Sequence, residues 1–171
     1  GFKLSASVVG LAFGLNYTQT PFFWDVLHMH YGFNATITIR HNPVFLYFLS
    51  VPYFATYAVL CMGTTRLVRS GLGGQPLVVR LPAIAVAPFG VACLETLLNA
   101  NPWTKSLFCY DDLALAAWFG SFAYGTAFCL ALPIWMKIDE QPGSNVPLSR
   151  VLVWVAAALY ADLLLLDLYR H

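Results

Sequence analysis

Five stretches of the sequence are long, apolar and nearly free of charged residues. They cover residues 4–27, 43–62, 81–99, 113–136 and 151–168. A helix needs about 20 apolar residues to cross the hydrocarbon core of a bilayer, where every backbone N–H and C=O must be bonded within the protein. The pattern therefore predicts an all-α membrane protein, a polytopic bundle of about five transmembrane helices that forms one domain over residues 1–171.

The composition supports this prediction and excludes other classes of protein. Hydrophobic residues make up 59% of the 171 residues and charged residues 10%, whereas a soluble domain has about 25% charged residues. A net charge of +1 provides no basic surface for nucleic acid. The aromatic content of 16% excludes a disordered chain.

The first stretch differs from the others because polar residues occupy its middle, at positions 16–20. We expect a helix that packs against its neighbours rather than facing lipid, with a kink at Pro21. If this segment does not span the membrane, the bundle has four spanning helices.

Prolines and glycines in the other segments predict where those helices end, where they are irregular and where they pack closely. Segment 43–62 is expected to end at Gly63, and Pro82 and Pro88 predict an irregular first half for segment 81–99. Gly120 and Gly125 would let another helix approach segment 113–136 closely. Turn-forming residues at 70–76 and 141–145 predict loops.

Two carboxylates lie inside predicted spans, at Glu95 and Asp162. A charged residue costs about 2.5–3.5 kcal/mol at the centre of an inserted helix, so such a residue indicates function by default. Asn99 lies four residues after Glu95 and shares its helix face. This pair could hold a polar ligand group or handle a proton, or Glu95 could serve packing alone. Asp162 could pair with a cation from another span or contribute to packing.

Residues 24–31 contain the densest cluster of polar and aromatic side chains. Asp25 and His28 are three residues apart, which on a helix would place an acid and an imidazole on one face. Trp24, His30 and Tyr31 are candidates for binding lipid or pigment; anchoring in an aromatic belt at the membrane surface is the alternative. The cluster lacks a complete ligand set, so we predict no metal site, and we expect no cofactor.

Four groups of motifs together resemble one family, the cycloeucalenol cycloisomerases. The motifs are FFWDVL (22–27) with YGF (31–33), LETL (94–97) with NP (101–102), PIWMKIDEQP (133–142), and LSRV (148–151) with DLYR (167–170). They occur in the order and at the spacing of the family, across nearly the whole chain. The resemblance implies a polytopic membrane enzyme of sterol biosynthesis that opens the 9,19-cyclopropane ring of a sterol to give an 8-ene product.

The resemblance also implies residue roles. Ring opening needs an acid, a base and a dry pocket that stabilises a carbocation. Glu95 matches a glutamate of the family and is the first candidate for proton transfer or cation stabilisation, with Asn99, Asp25 and His28 as further catalytic candidates. Asp112 and the pair at 139–140 match family acids, and their positions at helix ends predict structural roles.

The sequence departs from the family in several places. The family has further hydrophobic segments before the region that matches position 4, whereas this sequence begins at Gly1. Asp25, His28 and His30 replace a basic residue and small residues, and Trp118 replaces an arginine. Because a shared fold does not guarantee a shared activity, loss of the isomerase activity is an alternative expectation.

Two functions are therefore left open. The first is an isomerase-like enzyme that binds membrane lipid or sterol, in the endoplasmic reticulum. The second is a non-catalytic, lipid- or pigment-binding subunit of a respiratory or photosynthetic membrane complex, in the mitochondrial inner membrane or the thylakoid. Neither function predicts a nucleic-acid partner.

Overall fold

The computed structural model describes residues 1–140 and 146–171. Within these ranges the chain forms five long helices. They are α1 (Phe2–Asp25), α2 (Val44–Gly71), α3 (Leu77–Asn99), α4 (Leu113–Asp139) and α5 (Leu148–Tyr169). The turn predicted at 141–145 lies outside the described residues. An all-α bundle in place of a closed sheet confirms the predicted fold class for the described part of the chain.

Four of the described helices, α2 to α5, are long and apolar enough to cross a membrane. Helix α1 is 24 residues long, but its polar middle keeps it out of that group. It packs against α2, α4 and α5 in the bundle, as expected for a helix whose polar groups must be satisfied by protein rather than by lipid.

Several predicted helix details are wrong. Helix α2 does not end at Gly63 but continues to Gly71, because a glycine inside a helix costs only about 1 kcal/mol. Helix α3 is helical from Leu77 onward with both prolines inside it, so its first half is not irregular. Prolines are tolerated in membrane helices where neighbouring groups satisfy the freed carbonyls.

Short strands connect the helices at the end of the bundle where α1 and α3 terminate. Strand β1 (Met29–Tyr31) pairs antiparallel with β4 (Phe108–Tyr110). Strands β2 (Thr38–Ile39) and β3 (Asn42–Pro43) form a small hairpin before α2. The β1–β4 pairing joins two loops that are distant in sequence and thereby closes this end of the bundle.

The acids at helix ends have the structural roles predicted for them. The Asp112 carboxylate accepts a hydrogen bond from the Leu115 backbone N–H at 2.9 Å and caps α4. At the other end of α4, Asp139 pairs with Arg66 and Glu140 lies 3.3 Å from Arg69. These pairs connect the C-terminal ends of α4 and α2.

Gly125 permits the close helix contact predicted for it, whereas Gly120 faces Leu27 in the loop after α1 rather than another helix. A Cβ atom added at Gly125 would overlap the ring of Phe89 on α3, and one added at Gly120 would lie 3.0 Å from Leu27 Cδ1. The Phe89 ring is stacked on Phe122, with centroids 5.7 Å apart, which limits its freedom to move away.

Gly125→Ala is therefore expected to destabilise the bundle by about 1–3 kcal/mol through overpacking. Thermal unfolding of the protein in detergent measures the effect as a lower midpoint. Gly63→Ala is the matched control, because a Cβ atom there meets nothing within 4 Å and alanine favours the helix. An unchanged midpoint for Gly125→Ala would show that α3 and α4 do not pack as described.

Candidate active site

A cavity of about 480 Å³ lies among α1, α2, the C-terminal half of α3 and the β1–β4 pair. This volume falls within the range of about 300–1,000 Å³ that is usual for small-molecule sites. Most of its wall is apolar and aromatic. The polar side chains that line it are Asn16, Gln19, Thr20, Tyr31, Asn42, Ser50, Tyr53, Tyr57, Glu95, Asn99, Tyr110 and Tyr124.

One wall of the cavity is a chain of hydrogen-bonded neutral groups. The Tyr31 hydroxyl donates to Asn42 Oδ1 at 2.9 Å, and Asn42 Nδ2 donates to Asn16 Oδ1 at 2.6 Å. Asn16 Nδ2 in turn donates to the Ser50 hydroxyl at 2.8 Å. Burial raises the pKa of Tyr31, which keeps its hydroxyl protonated and able to donate. The polar middle of α1 therefore belongs to the cavity wall.

Glu95 lines the same cavity from α3 and differs from these neutral groups because it carries a carboxyl group. Its Oε2 atom is buried and has no hydrogen-bond partner among the described residues. The Tyr57 hydroxyl lies within hydrogen-bonding reach of the Glu95 carboxyl group, and the Tyr110 and Tyr124 hydroxyls lie close enough to interact with it electrostatically. A buried acid without a cationic partner in an apolar cavity is suited to proton transfer.

Asn99 shares the cavity wall with Glu95, as their spacing predicts. Its Nδ2 donates to the backbone carbonyl of Glu95 at 3.0 Å rather than to the carboxylate. The Glu95 side chain is thus left to face the cavity. Burial also raises the pKa of Tyr110, next to Glu95, so its hydroxyl stays protonated.

Asp162, the other carboxylate within a predicted span, accepts hydrogen bonds from neutral side chains of α1. Gln19 Nε2 donates to its Oδ1 at 3.2 Å and the Thr18 hydroxyl donates to its Oδ2 at 3.4 Å. Of the two possibilities for Asp162, the described structure favours packing, because two neutral groups of α1 donate hydrogen bonds to this acid and no cation pairs with it among the described residues. It connects α5 to α1 and does not line the cavity.

Asp25 and His28 do not form the predicted pair on one helix face. Helix α1 ends at Asp25, and His28 has a positive φ of 49°, which turns the chain into β1. Both side chains are exposed. Asp25 lies 3.6 Å from Arg170, and neither residue lines the cavity.

The remaining candidates form an aromatic cluster outside the spanning helices. The Trp24 ring stacks on His41 at 4.9 Å and meets His30 edge-on at 5.2 Å. His30 Nε2 is 3.6 Å from Asp111. Tyr31 alone among these candidates also reaches the cavity. No group of three or more metal-ligating side chains occurs within 1–140 and 146–171.

The sequence analysis missed several residues of the cavity. Asn16, Gln19 and Thr20 have helical spacing in a polar run, a signal that could have assigned them to one common face. Asn42 lies between the first two apolar segments, and Tyr57 and Tyr124 lie within apolar runs, so nothing in their local sequence indicates a site.

Fold and cavity define a helical membrane protein with a mostly apolar cavity that is lined by a glutamate. The chain is similar to the cycloeucalenol cycloisomerase of Arabidopsis thaliana, with 25% identity over 173 aligned residues. The alignment covers 98% of this chain and 60% of that protein, so the chain spans less than two thirds of its relative. This similarity supports a distant relationship.

No family model matches the chain, and no solved structure is similar to it. The site is therefore interpreted from its own geometry together with this one distant similarity.

The hydrogen-bonded wall yields a stability prediction. Asn42→Ala leaves the Tyr31 hydroxyl and Asn16 Oδ1 without their partner in a buried site, which costs about 1–3 kcal/mol. Thermal unfolding in detergent is expected to show a lower midpoint for this variant than for Asn34→Ala, a change at an exposed loop position. Equal midpoints for the two variants would contradict the network.

Proposed function

We propose that this protein is a membrane enzyme that opens the cyclopropane ring of a sterol precursor, with Glu95 as the acid that protonates the ring. The observation that carries the proposal is the buried, unpartnered Glu95 Oε2 in an apolar cavity. The similarity to a cycloeucalenol cycloisomerase supports the choice of reaction.

The reaction is an isomerisation, so the proton that enters must be matched by one that leaves. Glu95 donates its proton to the methylene carbon of the cyclopropane, and the electrons of the broken C–C bond form the new C–H bond. A tertiary carbocation remains on the ring system. Removal of a proton from the neighbouring ring carbon then gives the double bond.

Glu95 can serve in both steps. Among the described residues that line the cavity it is the only aspartate, glutamate, histidine, lysine or arginine. After it donates, its carboxylate is the strongest base in the cavity. The same group that protonates one carbon can therefore accept the proton from the next, as in other general acid–base reactions.

Aromatic rings line the cavity where a cation would form. Phe54, Tyr57 and Tyr124 pack together beside Glu95, with ring centroids of Tyr57 and Tyr124 6.5 Å apart. The faces of aromatic rings carry negative potential and attract a cation. They stabilise a carbocation without offering a nucleophile that would trap it.

The cavity is also accessible to an apolar substrate. Phe45, Leu49 and Tyr53 line it from α2 and are 52%, 46% and 54% exposed. Because α2 is apolar enough to span the bilayer, a sterol could pass between hydrocarbon and cavity along this side without entering water. The endoplasmic reticulum stays the expected location of such an enzyme.

The alternative function, a non-catalytic subunit of a larger complex, has no observation in its favour. Trp24 and His30, its candidate lipid or pigment ligands, pack with each other and with His41.

Glu95→Gln tests the proposal. Gln has nearly the same shape but cannot donate the proton, so turnover of a cyclopropyl sterol should fall by at least about 100-fold, while thermal unfolding stays close to wild type. Membranes containing the protein are incubated with cycloeucalenol, and the ring-opened isomer is quantified by gas chromatography with mass spectrometry.

Asp167→Asn is the matched control, because this acid is exposed on α5 and does not line the cavity. It should retain wild-type turnover. An active Glu95→Gln variant would remove Glu95 from the mechanism. A folded wild-type protein that leaves cycloeucalenol unchanged would overturn the proposed function itself.

A further inference from the structure

A second, much smaller chamber adjoins the cavity on the side of α4. Its volume is about 40 Å³, and Phe23, Glu95, Asn99, Tyr110 and Tyr124 line both spaces. Leu27, Thr96, Ala116 and Gly120 line the small chamber alone. Glu95 therefore lies between a large apolar cavity toward α2 and a small chamber toward α4.

We propose that this chamber is a water site through which Glu95 exchanges its proton with solvent between turnovers. The inference rests on the proposed function and adds a second partner for the same acid. The large cavity holds the sterol, and the chamber holds water that is kept away from the carbocation.

The size and lining of the chamber suit water and little else. A buried water needs at least about 10–15 Å³ of such space and two to four polar partners, so the chamber has room for one water and at most a few. An organic ligand does not fit. The polar residues that line it are Glu95, Thr96, Asn99, Tyr110 and Tyr124, and Phe23, Leu27, Ala116 and Gly120 form the rest of its wall.

The hydrogen bonds already made around the chamber leave places for this water. Asn99 uses Nδ2 to donate to the Glu95 carbonyl, and the Thr96 hydroxyl donates to the Ala92 carbonyl at 2.9 Å. An amide or hydroxyl oxygen can still accept hydrogen bonds. Glu95 Oε2 is buried and has no partner among the described residues, and a water in the chamber would supply one.

The backbone of α4 makes the space. Residues Ala116–Gly120 form one π-helical turn between the regular parts of the helix, and the two ends of this turn line the chamber with the smallest side chains. Single π turns inside α-helices often occur at functional sites. A larger side chain at either end would fill the chamber.

The exchange is balanced in atoms and charge. After Glu95 has taken a proton from the sterol ring, it is again a neutral acid and holds hydrogen that came from the substrate. Exchange with a water in the chamber replaces that hydrogen by one from solvent. The next cyclopropane ring is then protonated with a solvent hydrogen.

Turnover in heavy water tests the inference. The wild-type protein in D₂O should give a product that contains one deuterium, read as a mass increase of one. Ala116→Val fills the chamber, so Glu95 should keep the substrate-derived hydrogen and pass it to the next sterol. The deuterium content of the product should then fall at least several-fold while ring opening continues.

Ala114→Val, an exposed position on the same helix, controls for the substitution and should give wild-type labelling. If Ala116→Val does not fold, Thr96→Val serves instead, because it keeps the volume and removes a polar wall atom; it too should lower the deuterium content. Full labelling in the folded chamber variant, or an unlabelled wild-type product, would overturn the water site. Failure of the proposed function would appear differently, as no ring opening by the wild type.

Discussion

A carboxyl group inside the hydrocarbon region must be stabilised by the protein, because lipid offers no hydrogen bonds. Glu95 and Asp162, the two carboxyls within the predicted membrane spans, meet this constraint in opposite ways. Asp162 receives hydrogen bonds from Thr18 and Gln19 and connects α5 to α1. Glu95 has an oxygen without such a partner and faces open space. Only Glu95 is therefore left with a carboxyl oxygen that can exchange a proton with a ligand in the cavity.

The same constraint explains α1. A helix with five consecutive polar residues in its middle would be unstable in contact with lipid. In this bundle, residues of the polar run form hydrogen bonds in two directions, to α5 and within the cavity wall. Thr18 and Gln19 satisfy Asp162, while Asn16 joins Asn42 and Ser50 in the cavity wall. The polar run is therefore the reason that α1 packs inside the bundle and the reason that the cavity has one hydrophilic wall.

Hydropathy alone predicted the five helical segments, and the i, i+4 spacing correctly placed Glu95 and Asn99 on one face. The sequence could not predict contacts that depend on tertiary structure. The pairing of β1 with β4 brings Tyr31 and Tyr110 to the cavity across 79 positions, with the register Met29↔Tyr110. The Asp25–His28 prediction failed because α1 ends at Asp25 and the positive φ of His28 redirects the chain. The predicted end of α2 and the predicted irregular start of α3 were wrong, because a glycine costs a helix only about 1 kcal/mol and membrane helices tolerate proline where neighbouring groups bond the freed carbonyls.

In the proposed reaction, Glu95 contacts and protonates the reacting carbon of a sterol that is bound in the large cavity. The most direct test is an experimental structure of the protein in lipid with cycloeucalenol bound to the inactive Glu95→Gln variant. We expect a sterol among α1, α2 and α3 with its cyclopropane methylene about 3–3.5 Å from the side chain at position 95. A sterol bound on the outer surface of the bundle, or with its cyclopropane turned away from position 95, would contradict it.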